Sequence, residues 1–173
     1  MAVYDVSKLI PADIQKIDRD DLFATFLDTT PSGSNMTLNL LGIGITEYGI
    51  SYNPQVDTEK WVVEKNSRNI HKSNQKQASA SQTAYKNDPV YEFVKNGRDK
   101  LNYVTHIVDV DICEGTGGSY PAKLSDGLIT ITNYGGDDAK IEYDLAYNGD
   151  PIEGTVTFDN TTGKPVFTRN TSL

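Results

Sequence analysis

Cysteine, histidine and long apolar runs are all scarce in this 173-residue chain. The one cysteine, Cys113, excludes a disulfide framework within the chain, and with His71 and His106 it offers too few ligands for a zinc site of the usual spacing. The longest apolar stretch, LNLLGIGI at 38–45, is interrupted by glycine and is far too short to span a membrane as a helix. Because no charged and then apolar segment opens the sequence, we expect a protein made in a cytosol, without membrane insertion, metal or cofactor.

Positive charge is also scarce, and it is unevenly distributed. Sixteen Lys and Arg residues oppose 24 Asp and Glu residues, which gives a net charge of −8. A protein that binds a DNA groove usually has an excess of Lys and Arg, so we expect no specific binding of nucleic acid. The stretch from Lys65 to Asn87, however, contains no acid and five basic residues. This segment is expected to meet an acidic neighbour, such as another copy of the chain.

Alternating apolar and polar residues dominate the second half of the chain. Period two is typical of strands, and the segments that show it are 103–113, 127–134, 139–147, 154–159 and 164–168. Gly, Asn, Asp and Pro between these segments favour tight turns. Short strands at nearly regular spacing predict a mainly β fold, an antiparallel sandwich or barrel, with residues 1–173 as one domain. Residues 1–35 form its N-terminal segment, and residues 66–84 are predicted to be a long loop too polar to bury anything.

One segment, 88–101, carries the signals of an α-helix. Asp88 stands at the N-cap position, and Pro89 stands at the first helical position, where a missing N–H does no harm. Apolar residues follow at helical spacing and form one stripe, made of Val90, Phe93, Val94 and Leu101. A single stripe predicts a helix that flanks the sheet and lies against its outer face.

Two local patterns that sometimes carry chemistry have plainer interpretations here. The glycine-rich EGTGGSY at 114–120 lacks the Lys-Ser/Thr that follows in a phosphate-binding loop, so it is interpreted as a hairpin turn. His106 falls on the same strand face as the valines around it, which favours a half-buried structural histidine.

Acidic pairs are the remaining candidates for catalysis. Asp20 with Asp21, and Asp137 with Asp138, have the residue type that glycoside hydrolysis needs, but both pairs stand beside turn signals, where solvated acids are common. We therefore expect no enzymatic activity, and a small hydrolase that uses two carboxylates stays a minor alternative.

Two longer motifs resemble a known family. YKNDPVYEF at 85–93 follows KWVVEKN and a polar stretch, and YGGDDAKIEYDLAYNGDPIEGTVTFD at 134–159 leads from a Gly-Gly turn through G-D-P to G-T-V. In order and spacing, these residues resemble the major tail tube proteins of long-tailed, siphovirus-type phages that infect Gram-positive bacteria. The resemblance runs from about Trp61 to Phe167. The family usually has Gly before the Asp-Pro pair, whereas this chain has Asn87.

The resemblance implies a β-sandwich flanked by one α-helix, forming part of a closed hexameric barrel. Six copies would form a ring, and stacked rings would form a hollow tube that passes DNA from the capsid to the host cell without specific binding. The implied partners are other copies of the chain, a tape-measure protein, a tail terminator and tail-tip proteins. The implied location is the virion tail, with assembly in the host cytoplasm.

Two groups of residues acquire expected roles from this resemblance. The residues expected between subunits lie in or next to the polar segment and are Arg68, His71, Lys72, Lys76, Tyr85 and Lys86. Acids on the polar faces of two strands would keep DNA phosphates from binding the channel, and they are Asp109, Asp111, Glu142 and Asp144.

Other readings of the sequence stay open at this point. The chain fits a β-sandwich that serves as a binding or decoration module of a virion, or the tube of a tail-derived bacteriocin. A binding module would stay monomeric or trimeric, so the oligomeric state separates it from a tube subunit.

Overall fold

The computed structural model describes residues 15–136 and 138–170, without the side chain of Asp20. Residues 1–14 of the N-terminal segment and Asp137 of the second acidic pair therefore lie outside the described residues. The elements in chain order are α1 (Arg19–Leu22), β1 (Phe23–Asp28), β2 (Leu38–Leu40), β3 (Ile50–Ser51), β4 (Pro54–Glu59), β5 (Arg68–Asn74), β6 (Gln77–Thr83), α2 (Pro89–Lys95), β7 (Tyr103–Asp111), β8 (Ser119–Gly135), β9 (Lys140–Phe158) and β10 (Pro165–Arg169).

The fold is mainly β and antiparallel, as the alternation predicted. Eight strands form one sheet in the order β2-β1-β7-β8-β9-β6-β3, and β10 adds to β9. Strands β4 and β5 form a separate two-stranded sheet. The prediction of a barrel is not met within one chain, because among the described strands β2 and β3 end the large sheet without pairing with each other. The end strands are short, three residues in β2 and two in β3.

Both faces of the large sheet are covered over part of its area. Phe26 and Leu27 are neighbours on β1 and point to opposite faces, and each belongs to a different apolar cluster. The larger cluster includes Val90 and Val94 of α2, so this helix packs on one face of the sheet. The smaller cluster, which includes Val108, lies on the other face. This gives the sandwich-like arrangement in which β1 and β7 are buried from both sides.

Helix α2 begins where the sequence predicted and ends earlier. The Asp88 Oδ1 accepts a hydrogen bond from the Val90 N–H at 3.1 Å, and Pro89 occupies the first helical position. The helix has seven residues and its C-cap is Asn96, so the predicted range 88–101 is too long. Leu101 lies beyond the helix with 94% of its surface exposed, and its predicted role in helix packing is wrong. The Asn-Gly pair after Lys95 explains the early end, because both residues favour a helix terminus.

The segment 66–84 is a pair of strands rather than a loop. Strand β5 pairs with β4, and β6 lies in the large sheet between β9 and the short end strand β3. Ala78, Ala80 and Gln82 are buried there. The sequence QASASQT does alternate, but alanine adds little hydrophobicity, so the prediction of a segment with nothing to bury is wrong. No helix among the described residues is long and apolar enough to cross a membrane.

Candidate functional site

The most unusual feature of the molecule is a hairpin that leaves the body of the protein. We call residues 54–74, which include β4, β5 and the turn between them, the hairpin arm. Every residue of both strands is exposed. The arm continues the ribbon of β3 and β6 past a junction at Asn53, whose φ of 41° bends the chain and whose carbonyl accepts the Gln75 N–H at 3.4 Å. A two-stranded hairpin on its own is only marginally stable in water.

The tip of the arm is apolar. Trp61, Val62 and Val63 expose 54%, 103% and 90% of their surface. The Arg68 guanidinium lies 4.1 Å from the centre of the Trp61 ring and also pairs with Glu64. This contact holds the indole at the base of the tip while the two valines face solvent.

Most of the basic residues predicted to lie between subunits have partners within the chain. Besides the Arg68–Glu64 pair, Lys72 forms an ion pair with Asp57 on the facing strand. The His71 Nε2 lies 2.8 Å from the Asn74 Oδ1. The arm as a whole carries four Lys and Arg residues against three acids, so it is close to neutral.

Lys76 does not belong to an exposed basic surface. Its Nζ lies 2.6 Å from the Asp109 Oδ2, and the two side chains are only 18% and 12% exposed. The other Asp109 oxygen accepts hydrogen bonds from the Thr25 hydroxyl at 2.8 Å and the Tyr147 hydroxyl at 3.2 Å. Asp109 was predicted to face solvent, and this prediction is wrong, because its carboxylate is held inside the subunit by a cation and two hydroxyls.

A second tyrosine completes this cluster. The Tyr48 hydroxyl lies 3.3 Å from the Tyr147 hydroxyl. Burial raises the pKa of Tyr48 to about 12, although its hydrogen bond with Tyr147 opposes the rise. Burial also raises the pKa of Tyr147. Both hydroxyls are therefore protonated at neutral pH and available as hydrogen-bond donors.

Tyr85 and Lys86 lie between β6 and α2, outside the arm. Both are exposed, Tyr85 to 52%. The space beside Gly44 is filled by the Tyr85 ring, since a Cβ on this glycine would meet the ring at 3.1 Å. The six residues predicted between subunits thus fall in three separate places: the arm, the Lys76–Asp109 pair, and this connection.

The four acids predicted for a channel do not share one face of the sheet. Glu142 and Asp144 alternate along β9 with the buried Ile141 and Tyr143, so they lie on the face opposite the larger cluster. Asp109, through Tyr147, lies on the face of that cluster. Asp111 lies half-buried at the end of β7.

The face that carries Glu142 and Asp144 is open and polar. A shallow depression of about 640 Å³ is lined there by small hydroxyl residues together with the two acids, among them Ser79, Ser81 and Thr132. The Ser79 hydroxyl donates to the Asp144 Oδ1 at 2.6 Å. Hydroxyls and carboxylates give this face a hydrated surface, although Arg19, Ala80 and two tyrosines also line the depression.

A buried polar network connects α2 to the sheet, and no motif in the sequence predicts it. The Gln82 Nε2 donates to the Asp88 Oδ2 at 2.7 Å, and the Tyr143 hydroxyl donates to the Gln82 Oε1 at 3.0 Å. Asp88 and Gln82 are 4% and 0% exposed. The helix cap therefore also fixes the position of α2 on β6 and β9. A glutamine in an otherwise small-residue alternation is the only hint in the sequence.

His106 is half-buried on β7, as predicted. Its Nδ1 lies 2.9 Å from the Asp28 Oδ2, and its Nε2 lies 3.8 Å from the exposed Asp126 Oδ1. The Asp28 Oδ1 also accepts the backbone N–H groups of Thr30 and Thr37 at 3.0 and 2.9 Å. Burial alone would raise the pKa of Asp28, but the hydrogen bonds from His106 and the two N–H groups outweigh it and leave this pKa below its usual value. This cluster fixes the loop between β1 and β2.

The patterns considered for catalysis stay without support in the structure. Residues 114–120 form a hairpin turn in which Gly117 and Gly118 have positive φ, in agreement with the prediction. In the described part of the chain, no group of three or more His, Cys, Asp or Glu residues is placed to hold a metal ion. Cys113 is exposed.

Comparison with known proteins adds little to this picture. No protein-family model matches the sequence, and no curated protein matches it. Among solved structures, the chain is similar to one chain of the cryo-EM structure of the anti-feeding prophage (AFP) baseplate, 6-fold symmetrised, with a TM-score of 0.47 and 9% sequence identity. The match covers 81% of this chain and 97% of that chain. A likeness at this level does not transfer that protein's role to this one.

Proposed function

We propose that this protein is a structural subunit of a phage tail or tail-derived particle. The finer form of the proposal is a tail tube subunit: six copies form a ring, and rings stack into a hollow conduit for DNA. The sequence motifs at 85–93 and 134–159 support the phage assignment. The observation that carries the assembly role is the hairpin arm with its exposed apolar tip.

The arm has no function in the stability of a single chain. All its paired residues are exposed, so it buries little apolar surface of its own. Exposed apolar groups such as Val62 and Val63 are unfavourable in water, and covering them contributes roughly 25 cal/mol per Å². An arm of this kind is stabilised when another protein surface covers it, and in a particle made of many copies that surface is present at high local concentration.

The ends of the large sheet also favour assembly. Strands β2 and β3 end the sheet, and the outer edge of β10 also offers backbone groups for pairing. When the sheets of neighbouring copies meet edge to edge, their strands form hydrogen bonds with these backbone groups. Together the copies then form the closed barrel that one chain does not form. A ring of copies thus turns an open sheet into a closed wall.

Glu142 and Asp144 are our candidates for the channel surface. They lie on an open, hydroxyl-rich face, and their charge repels phosphate, so DNA would pass without being held. Asp109 is left out of this role because Lys76 neutralises it. Asp111 stays a weaker candidate, since it is half-buried and borders a cleft that also contains Lys123.

The rest of the proposal follows from the tube role. The protein would act without enzymatic activity and without a cofactor. It would assemble in the host cytoplasm with a tape-measure protein, tail-tip proteins and a terminator, and it would reside in the virion tail. A second candidate, a decoration or binding module of a virion, is favoured by the same arm if the arm binds a different protein.

Sedimentation velocity and light scattering across a range of concentrations test the proposal. We expect the purified chain to form large assemblies as concentration rises at low salt. The matched control replaces Trp61, Val62 and Val63 with serine, which should leave a folded chain by circular dichroism that stays small. A chain that remains a monomer or trimer at all concentrations, and after addition of tail-tip and tape-measure partners, would support the binding module instead.

A further inference from the structure

An apolar groove lies on the body of the protein beside β1. It runs between α1, β1 and the segment after β2, and has a volume of about 390 Å³. Its apolar lining consists of Phe23, Ala24, Leu40, Leu41, Ile43 and Ile45. Leu40 and Ile43 are 46% and 47% exposed, although both side chains are large and apolar. An exposed apolar surface of this kind is typical of a site that another protein covers.

The arm of the same chain points away from this groove. Ile45 is bridged to Gln82, at one end of β6, whereas the arm leaves the sheet beyond Gln77, at the other end. From Gln82 to Arg68, where the tip begins, the ribbon extends on the order of 45 Å at about 3.3 Å per residue. The tip therefore lies far from the groove of its own chain, and a second copy must supply the partner.

The charges around the two surfaces are complementary. Lys60 and Lys65 flank the apolar tip and are exposed. Glu59 and Glu64 stand beside them, and Glu64 is paired with Arg68, which leaves a net positive charge around the tip. On the body, Asp18, Asp21 and Glu47 are exposed. They are close in sequence to Arg19 and Tyr48, which line the groove. The Arg19 guanidinium at the rim donates to the Thr46 carbonyl at 2.7 Å, so this cation is held against the body. Opposite charges around an apolar contact favour its formation and fix its orientation.

We propose that the tip of the hairpin arm, Trp61 to Val63, inserts into the Phe23–Ile45 groove of a second copy. The inference rests on the proposed self-assembly and names the two surfaces that meet. Such a contact joins different patches on the two copies, so the first copy keeps a free groove, and the second keeps a free tip. It can therefore repeat from copy to copy, and the rotation between successive copies decides whether the series closes into a ring or continues from one ring to the next.

Cysteine cross-linking between two separately purified variants tests the pairing. One protein carries Val62→Cys and the other carries Ile43→Cys, both in a Cys113→Ser background that removes the exposed native thiol. After mixing and mild oxidation, we expect a disulfide-linked dimer of the two variants, several-fold more abundant than in a mixture with Val104→Cys. Val104 is a matched control because it is an exposed valine (55%) on β7, outside the groove. Trp61→Cys and Val63→Cys repeat the test at the neighbouring tip positions.

The outcomes separate the inference from the proposed function, because electron microscopy of the unmodified protein, alone and with tail-tip and tape-measure proteins added, reports tubes independently. Tubes together with the tip–groove cross-link support both. Tubes without a cross-link at any tip position overturn the proposed tip–groove contact and leave the tube role intact. A cross-link without any tube supports the tip–groove contact and overturns the tube role. Absence of both overturns both.

Discussion

Asp28 is almost completely buried, at 1% exposure, and yet it carries a carboxylate. It is stabilised by His106 and by the backbone N–H groups of Thr30 and Thr37, which keep its pKa below the ordinary value. Period-two alternation places a residue on one face of a strand. It does not predict which polar residue is buried or which groups form hydrogen bonds with it. This is why His106 could be predicted as a structural residue, while its partner on β1 could not.

Asp28→Asn tests this charge. At pH 7 we expect a loss of about 1–2 kcal/mol in the free energy of unfolding, because the amide keeps the shape and loses the charge-assisted hydrogen bonds. Since the folded pKa is depressed, the contribution of the carboxylate is present above the unfolded pKa of about 3.9 and is lost as pH falls through the folded value.

Urea unfolding at pH 7 and at pH 3 measures this effect. The difference in the free energy of unfolding between wild type and Asp28→Asn should be smaller at pH 3 than at pH 7. Asp126→Asn changes an exposed partner of the same histidine, and it should have little effect on this free energy at either pH. A gap of equal size at both pH values would show that the charge of Asp28 has no part in stability.

Lys76 and Lys72 look alike in the sequence and differ in the structure. Lys76→Glu would place a second carboxylate against Asp109 in a largely buried cluster, and we expect a loss of about 3 kcal/mol. Lys72→Glu affects an ion pair whose side chains are 55% and 58% exposed, and we expect less than about 1 kcal/mol. Chemical denaturation of the two variants gives the comparison, and equal losses would mean that the Lys76–Asp109 pair is not a buried interaction.

At the scale of the elements, local chemistry predicted the start of α2 and the turn at 114–120. The turn predicted between 147 and 154 is wrong, because β9 continues through it without a break. Asp88 and Pro89 fixed the start of α2, and the glycine turn at 114–120 was also predicted. The end of α2 was not, because Leu101 continues the helical spacing while the Asn-Gly pair before it stops the helix. Strand β6 was missed because a strand built of Ser, Ala and Gln is stabilised by its neighbours in the sheet rather than by its own hydrophobicity. Strand β5 was missed because it is polar and exposed and pairs only with β4.

Two substitutions in and after α2 check the corrected boundary. Val94 is completely buried, so Val94→Ala should cost about 2 kcal/mol of stability through a cavity under the helix. Leu101→Ala should change stability by less than about 0.5 kcal/mol, since the side chain is exposed. Thermal unfolding of both variants measures these changes. A large loss of stability for Leu101→Ala would show that the helix extends to Leu101, as the sequence predicted.

The hairpin arm offers a direct optical test, because Trp61 is the only tryptophan of the chain. Its indole is 54% exposed in the single chain. If the tip is covered on assembly, the emission should shift to shorter wavelength and become several-fold less sensitive to acrylamide as concentration rises. Ile43→Asp, in the groove, should suppress the shift. An unchanged spectrum in samples that contain assemblies would mean that the arm tip stays in water.

At the scale of the whole molecule, the class of fold was predictable from the sequence, whereas the closure of the sheet into a barrel was not. Regular short strands and turn residues predicted an antiparallel β fold, and the structure has one. The alternation in one chain does not say whether the sheet closes, and among the described strands β2 and β3 end the sheet without pairing with each other. The distribution of charge in the sequence indicated the region of the arm, but it did not predict that this region forms a hairpin. Most of the basic residues pair within the chain, whereas the apolar tip is exposed.

Electron microscopy of the purified protein at high concentration and low salt tests the central claim most directly. The account predicts hollow tubes or six-fold rings with a central channel, and it predicts that the serine variant of Trp61, Val62 and Val63 forms neither. Separate single chains at every concentration, also after tail-tip and tape-measure proteins are added, would contradict the account.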